Sequence, residues 1–281
     1  PALLGVFAHP DDEQVGTAGA LLACVEQGVA IHLLLATRGE AGEISDPALA
    51  TPETLGAVRE QEMREVCRLL GFESPVFLDH PDGKLVDVEP DRLMREVVAE
   101  IRRIRPRVVL SFDANGGYGH PDHITVHHAT VAAFDAAADP EFAPDLGPPH
   151  GPDKLYATAY PRSMLATLNE AMVANGFPAL DFGSVQTITA DAIGTDDARV
   201  TTIVPVKHFF DRRSVSLATH KTQYGPHHPF RTIPDATMRS LFTRDCFVRL
   251  RPVPAPGAAL PDENDLWAGF RRPQESATHR V

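Results

Sequence analysis

Short apolar runs alternate with longer amphipathic segments over the first 113 residues of the chain. The apolar runs are bounded by turn-forming residues, as is typical of buried strands, and they are 2–8, 29–37, 75–79 and 107–113. The segments between them repeat apolar residues with a helical period, and they are 15–28, 52–71 and 89–106. Strands that alternate with helices in this way predict a parallel sheet in an α/β fold.

The pattern is less regular after residue 113. Periodicity predicts helices over 122–138, 162–175, 207–223 and 229–242, and strands over 154–161, 199–206 and 244–251. We therefore expect an α/β fold with a Rossmann-like, mostly parallel sheet flanked by helices, and a smaller, irregular α+β C-terminal part. Residues 1–253 are expected to form a single domain. Residues 254–281 are rich in Pro, Ala and charged residues, which predicts a loose tail.

Composition narrows the class of partner. The chain has 281 residues, of which 43% are apolar and 23% are charged, as is ordinary for a globular protein. Its net charge of −12 disfavours nucleic acid and anionic membrane surfaces as partners. A small-molecule substrate is therefore expected, and a homo-oligomer remains open.

The cellular compartment is predicted from the cysteines and the first residues. The three cysteines, Cys24, Cys67 and Cys246, are odd in number and lie in apolar, periodic segments, which indicates buried free thiols. The first residues lack the basic region of a signal peptide. These features favour a reducing, cytoplasmic environment.

Polar clusters follow each of the first four predicted strands. They are 9–13, 38–43, 79–82 and 113–123. Because the carboxyl ends of parallel strands meet at one edge of a sheet, we expect all four clusters to lie together at that edge.

Two of these clusters carry the candidate chemistry. "HPDDE" (9–13) places three acids side by side, which repel one another unless a positive charge lies among them. His9, Asp12 and one histidine of "GHPDH" (119–123) would form a three-ligand zinc site with a position left for water. A metal there would lower the pKa of that water, and Asp11 or Glu13 could accept its proton. Either motif alone is also compatible with a simple turn and helix cap, but two such motifs at one sheet edge favour the metal site.

The two motifs resemble those of the PIG-L/LmbE family of zinc-dependent de-N-acetylases. The resemblance extends through "TRGEAGE" (37–43), "VREQEMREVCRLLG" (58–71), "LDHPDGKL" (78–85) and "SLATHKTQ" (216–223), and so covers about residues 3 to 225. Members of the family remove the acetyl group from an N-acetylglucosamine unit that is attached to inositol, malate or another aglycone. Some relatives cleave amides of mycothiol conjugates instead.

The resemblance implies roles for individual residues. His9, Asp12 and His123 correspond to the zinc ligands, although Fe²⁺ also suits such a set. Asp11 corresponds to the general base that activates the metal-bound water. His120 corresponds to an imidazole that faces the developing oxyanion or protonates the leaving amine.

Further positions match the family with supporting roles. Asp122 is expected to orient His120 and to raise the pKa of its imidazole. Tyr118 is expected to contact the carbonyl oxygen of the substrate. Positions that match the surroundings of the sugar pocket are Arg59, Asp82 and His220.

The sequence thus predicts a metal-dependent amidohydrolase that deacetylates an N-acetylglucosamine conjugate. The alternatives are an amidase of the mycothiol S-conjugate type and a non-catalytic, metal-dependent carbohydrate-binding protein. The presence of Asp11, His120 and Asp122 favours an enzyme, because a purely structural metal site needs ligands only. The sequence does not predict the aglycone.

Overall fold

A mixed sheet of seven strands forms the centre of the part of the chain that the computed structural model describes, residues 1–178 and 193–270. The strands are β1 (Ala2–Phe7), β2 (Ala30–Leu35), β3 (Val76–Phe77), β4 (Val108–Ser111), β5 (Lys154–Ala159), β6 (Thr202–Pro205) and β7 (Arg244–Arg251). Their order across the sheet is β3-β2-β1-β4-β5-β7-β6. Strands β1 to β5 pair in parallel, whereas β7 pairs antiparallel with both β5 and β6.

Helices connect the strands and cover the sheet. They are α1 (Ala18–Glu26), α2 (Leu55–Leu70), α3 (Pro90–Ile104), α4 (Gly116–Gly119), α5 (Pro121–Ala136), α6 (Arg162–Ala174), α7 (Phe210–Thr219), α8 (Pro229–Thr232) and α9 (Asp235–Leu241). In the two described ranges, no helix is long and apolar enough to cross a membrane. The predicted α/β fold with a mostly parallel sheet is confirmed.

Burial explains why the strands are so apolar. All four residues of β4 are buried, and so are the last five of β1. A parallel strand that is covered by helices on both faces has no solvent-facing side, so its sequence is an almost continuous apolar run.

The strand order places a crevice between β1 and β4. β1 lies between β2 and β4, so successive strands are added on opposite sides of β1. In open α/β sheets the ligand crevice lies outside the carboxyl ends of the strands at such a reversal. The two His-Pro-Asp motifs follow β1 and β4, and the fold therefore brings them to this crevice from opposite sides.

One predicted helix is broken in two. The apolar period over 229–242 predicts a single helix, but the structure has α8 and α9, separated at Ile233 and Pro234. Pro234 has no N–H to donate to the preceding turn, and it disfavours helical geometry at Ile233, whose ψ is 134°.

The expectation of a loose tail from residue 254 is wrong for residues 263–267. Leu266 and Trp267 are buried. The Glu263 carboxylate lies 2.5 Å from Lys154 Nζ and accepts a hydrogen bond of 2.6 Å from the Tyr156 hydroxyl. This pairing ties the segment to β5, which local composition does not reveal. Residues 271–281 of the expected tail lie outside the described residues.

Candidate metal centre

Three side chains from the two motifs converge at the crevice. His9 Nδ1 lies 3.2 Å from His123 Nε2, and His123 Nε2 lies 3.2 Å from Asp12 Oδ1. Asp12 Oδ2 lies 3.4 Å from His9 Nδ1. Two imidazole nitrogens and a carboxylate at this spacing form a donor set that suits a divalent cation. The structure thus brings together the three residues that the sequence predicts as ligands.

Each imidazole is held so that one particular nitrogen faces this cluster. His123 Nδ1 makes a 3.0 Å hydrogen bond with the Gly116 carbonyl oxygen, and its ring stacks on Phe112 with the centroids 4.0 Å apart. Since Nδ1 must donate to a carbonyl, the Nε2 lone pair is left for a metal. His9 Nε2 lies 2.9 Å from Asp82 Oδ1, which turns Nδ1 of that ring toward the cluster.

The turn after β1 presents Asp12 as a carboxylate. Its Oδ2 accepts a 2.7 Å hydrogen bond from the His9 backbone N–H, which closes the turn. Burial alone would raise the pKa of Asp12, but the neighbouring His123 and His9 hold it well below its usual value. Asp12 is therefore ionised, as a metal ligand requires.

Asp122 does not orient His120 in the way that the sequence predicts. Its carboxylate accepts hydrogen bonds from the backbone N–H groups of Gly83 (2.7 Å) and Leu85 (3.0 Å), and it lies 3.4 Å from His9 Nε2. His120 Nδ1 is already occupied, because it accepts a 3.2 Å hydrogen bond from the backbone N–H of Asp122. Asp122 thus supports His9 through its side chain and His120 through its main chain.

The expected rise in the pKa of His120 is also wrong for this arrangement. Burial, followed by the charges of His123 and His9, lowers the pKa of His120 to about 4, and these effects outweigh the attraction of Asp122. The neutral ring therefore carries its proton on Nε2, because Nδ1 is an acceptor. The Tyr118 ring lies 6.2 Å from the His120 ring, and both residues border the cavity described below.

Asp11 has an unusual backbone conformation and a buried carboxylate. Its φ is +108°, a region that non-glycine residues rarely adopt, and its N–H donates to Glu13 Oε2 at 3.2 Å. Burial raises the pKa of Asp11 to about 6, although the nearby Arg59 guanidinium opposes this.

Arg59 is predicted to lie near the sugar pocket, but its guanidinium is engaged by the protein. It donates hydrogen bonds to the carbonyl oxygens of Gly39 (2.7 Å) and Pro10 (2.6 Å), and it lies 3.2 Å from Asp11 Oδ2. A β-carbon at position 39 would lie 2.3 Å from the Arg59 Cζ atom, so this packing requires glycine there. Arg59 therefore ties α2 to the two turns beside the metal centre.

His220 lies behind the site and does not border the cavity. It is fully buried, and its Nε2 lies 3.3 Å from the Glu13 carboxylate, which is also fully buried. The prediction that His220 lies at the sugar pocket is wrong, because α7 packs its C-terminal end against the turn that holds Glu13 rather than against the crevice. Sequence reasoning identified Glu13 only as an alternative base and missed this pairing.

The metal centre opens into a cavity of about 520 Å³, within the usual range for small-molecule sites. Its polar border includes Asp11, Asp12, Arg59, Asp82, Tyr118 and His120. A different part of the chain supplies an apolar wall, made of Leu165, Leu168, Ile193 and Phe230. Sequence reasoning missed this wall, since a leucine on an amphipathic helix gives the same signal whether it faces the core or a cavity.

Known proteins resemble this chain in sequence and fold. Residues 4–134 match the PIG-L family, described as GlcNAc-PI de-N-acetylase. A protein of Thermobispora bispora named 1D-myo-inositol 2-acetamido-2-deoxy-alpha-D-glucopyranoside deacetylase is 33% identical, over 95% of this chain and 98% of its own length.

Two solved structures share the fold. N,N'-diacetylchitobiose deacetylase from Pyrococcus horikoshii has a TM-score of 0.63 at 17% identity, covering 89% of this chain and 83% of that one. The zinc-inhibited form of teicoplanin deacetylase has a TM-score of 0.54 at 16% identity, covering 89% of this chain and 97% of that one. At these identities the likeness establishes a common fold.

Proposed function

The chain belongs to the PIG-L family of de-N-acetylases, and we propose that its metal centre hydrolyses the acetamide group of an N-acetylglucosamine conjugate. The chain is a deacetylase, a hydrolase of amide bonds, and its relatives match it over nearly their whole length. The observation that carries the proposal is the convergence of His9, Asp12 and His123 beside Asp11 and His120 in one cavity.

We assign the metal-binding role to His9, Asp12 and His123, and zinc as the native metal. Their donor atoms are mutually within 3.4 Å, and both imidazoles are oriented by hydrogen bonds from their other nitrogens. The same donors also suit Fe²⁺. When bound there, a divalent metal acts as a Lewis acid that lowers the pKa of water and polarises the amide carbonyl.

Asp11 is the general base of the proposed reaction. It borders the cavity next to the ligand Asp12, but its own carboxylate faces Arg59 instead of the histidines. It accepts a proton from the attacking water and later passes that proton to the amine nitrogen as the carbon–nitrogen bond breaks. The products are acetate and the free amino sugar conjugate.

His120 is the donor to the amide oxygen. Its neutral ring carries the proton on Nε2, so it can donate a hydrogen bond to the negative charge that develops there. Tyr118, which borders the same cavity, is a second group within reach of that oxygen. Arg59 and Asp82 also border the cavity and can contact sugar hydroxyls while they support Asp11 and His9.

Release of acetate from a small panel of conjugates tests the proposed function. The panel contains N-acetylglucosaminyl-inositol, N-acetylglucosaminyl-malate, N,N'-diacetylchitobiose and a mycothiol S-conjugate, each assayed with added Zn²⁺ or Fe²⁺ and with a chelator. We expect metal-dependent acetate release from at least one acetylated sugar. Absence of acetate from every member, with metal bound to the protein, would contradict the proposal.

We place this activity in a reducing, cytoplasmic environment. The three cysteines are all buried and free, which supports the assignment.

A further inference from the structure

We propose that the cavity beside the metal centre takes a substrate with an apolar group, such as a linear alkyl chain, seated against the apolar wall. This inference rests on the proposed function and narrows its substrate class. The group could be the aglycone or a longer N-acyl chain, and the experiment below separates the two.

The apolar wall is formed by side chains that the main hydrophobic core does not enclose. Leu165 and Leu168 lie on α6, Ile193 lies at the start of the second described range, and Phe230 lies on α8. All four are only partly buried and border the cavity. Leu168 and Phe230 pack from behind on a small separate cluster made of Met172, Phe210, Ile233 and Met238. The wall is therefore a supported surface rather than loose side chains.

The chemistry of this wall disfavours a polyhydroxylated aglycone. A sugar or cyclitol ring carries a hydroxyl on nearly every carbon, and a buried hydroxyl without a hydrogen-bond partner is costly. The four wall residues offer no side-chain donor or acceptor. An alkyl group would lose nothing there and would gain from the removal of apolar surface from water.

A second cavity continues in the same direction. It has a volume of about 200 Å³ and shares Val15 and Phe230 with the first cavity. Its border includes the apolar side chains of Leu217, Met238 and Phe242. Arg213 also borders it, but this guanidinium is paired with Asp245 at 3.2 Å. A chain that crosses the apolar wall thus has further apolar space beside Phe230.

A homologous series of substrates tests the inference. The methyl, butyl and hexyl glycosides of N-acetylglucosamine vary the aglycone, and the methyl glycosides of N-butanoyl- and N-hexanoylglucosamine vary the acyl chain. We expect one series to show kcat/KM rising by about tenfold or more from shortest to longest. That is within the limit of about fourfold per methylene set by about 0.8 kcal/mol. The series that rises identifies which end of the substrate meets the wall.

A matched pair of variants on α6 locates the effect. In Leu168→Ser the ratio of kcat/KM for the longest to the shortest substrate should fall by about fivefold or more, as expected for lost apolar contact. Val173→Ser changes an exposed residue of the same helix, 54% accessible, and should leave the ratio unchanged. Leu165→Ser provides a second test if Leu168→Ser does not fold.

Binding of the amine products keeps the inference separate from the proposed function. Calorimetry with methyl and hexyl glucosaminide, and with hexanoate, measures the apolar contribution without turnover. Flat profiles in both substrate series, or equal weak binding of every product, would overturn the apolar subsite even if acetate is released. Tight binding of a hexyl product without any turnover would retain the subsite and refute the deacetylase assignment.

Discussion

The Arg59 guanidinium lies 3.2 Å from the Asp11 carboxylate and bonds the carbonyl oxygen of Pro10 directly before it. Arg59 is buried, and its third contact is the carbonyl of Gly39 in the loop after β2. One side chain on α2 therefore fixes both the charge and the backbone of the proposed base. This makes Arg59 a positioning residue whose effect on turnover passes through Asp11.

Replacement of Arg59 by Gln should impair both stability and turnover. Removing one partner of a buried pair costs about 3 kcal/mol or more, partly relieved here because Asp11 can take up a proton. We expect kcat to fall by about tenfold or more, with a smaller change in KM, since Asp11 loses its counter-charge. Urea unfolding and steady-state kinetics measure the two effects. Arg68→Gln, an exposed change on the same helix, is the control, and equal behaviour of the two variants would refute the assignment.

Replacement of His123 by Ala should remove most of the metal. The variant loses one of three donors and leaves a gap between Phe112 and His9. We expect zinc content after dialysis to fall from about one equivalent to a small fraction. His128→Ala changes an exposed histidine of the same helix and should retain the metal. Full zinc content in His123→Ala would show that the ligand set is wrong.

Asp11→Asn separates the base from the ligands. The amide keeps the size of the side chain but cannot accept a proton, so turnover should fall by about 100-fold or more. Zinc content should stay near that of the wild type, because His9, Asp12 and His123 are unchanged. Asp79→Asn, an exposed acid at the end of β3, controls for the loss of one negative charge. Near-normal turnover with metal bound would move the base to Glu13.

His120→Ala tests whether this residue is a donor or a ligand. As a donor to the amide oxygen, its loss should lower kcat by about 100-fold and leave KM and zinc content nearly unchanged. His120→Gln, whose amide N–H can still donate, should recover part of that loss. The opposite result is loss of metal, since nitrogen atoms of His9, His120 and His123 all lie within 4.8 Å of one another. In that case His120 is itself a ligand.

The strands and the position of the site could be predicted from the sequence because both follow from local patterns. A parallel strand buried on two faces leaves an unmistakable apolar run, and the residues after such strands must meet at one sheet edge. His9 and His123 lie 114 residues apart, yet their pairing could be predicted because each motif follows a strand beside the crevice.

The partners of individual side chains could not be predicted in this way. Asp122 lies two residues from His120, yet its carboxylate bonds N–H groups near residue 84, which local sequence does not indicate. Likewise, Arg59 reaches Pro10 and Gly39 only because α2 packs beside two separate turns. Such contacts depend on how distant loops approach one another, and that is a property of the tertiary fold.

The pairing of His220 with Glu13 predicts a pH-dependent contribution to stability. Both side chains are fully buried, and His220 Nε2 lies 3.3 Å from Glu13 Oε1. Burial alone would lower the pKa of His220, but the hydrogen bond and charge of Glu13, helped by Asp11 and opposed by Arg59, raise it above 6.5. The folded protein therefore binds a proton here more tightly than the unfolded chain does.

Replacement of His220 by Gln should consequently destabilise the protein most at low pH. A raised pKa in the folded state adds stability that is complete below the unfolded value of about 6.5 and disappears as the pH rises through the folded value. The difference in unfolding free energy between wild type and His220→Gln should thus be larger near pH 6 than near pH 9. Urea unfolding with a chelator present, so that metal binding does not vary with pH, measures it. A difference that is constant or grows with pH would mean that folded His220 is neutral, and Glu13 would then require another source of positive charge.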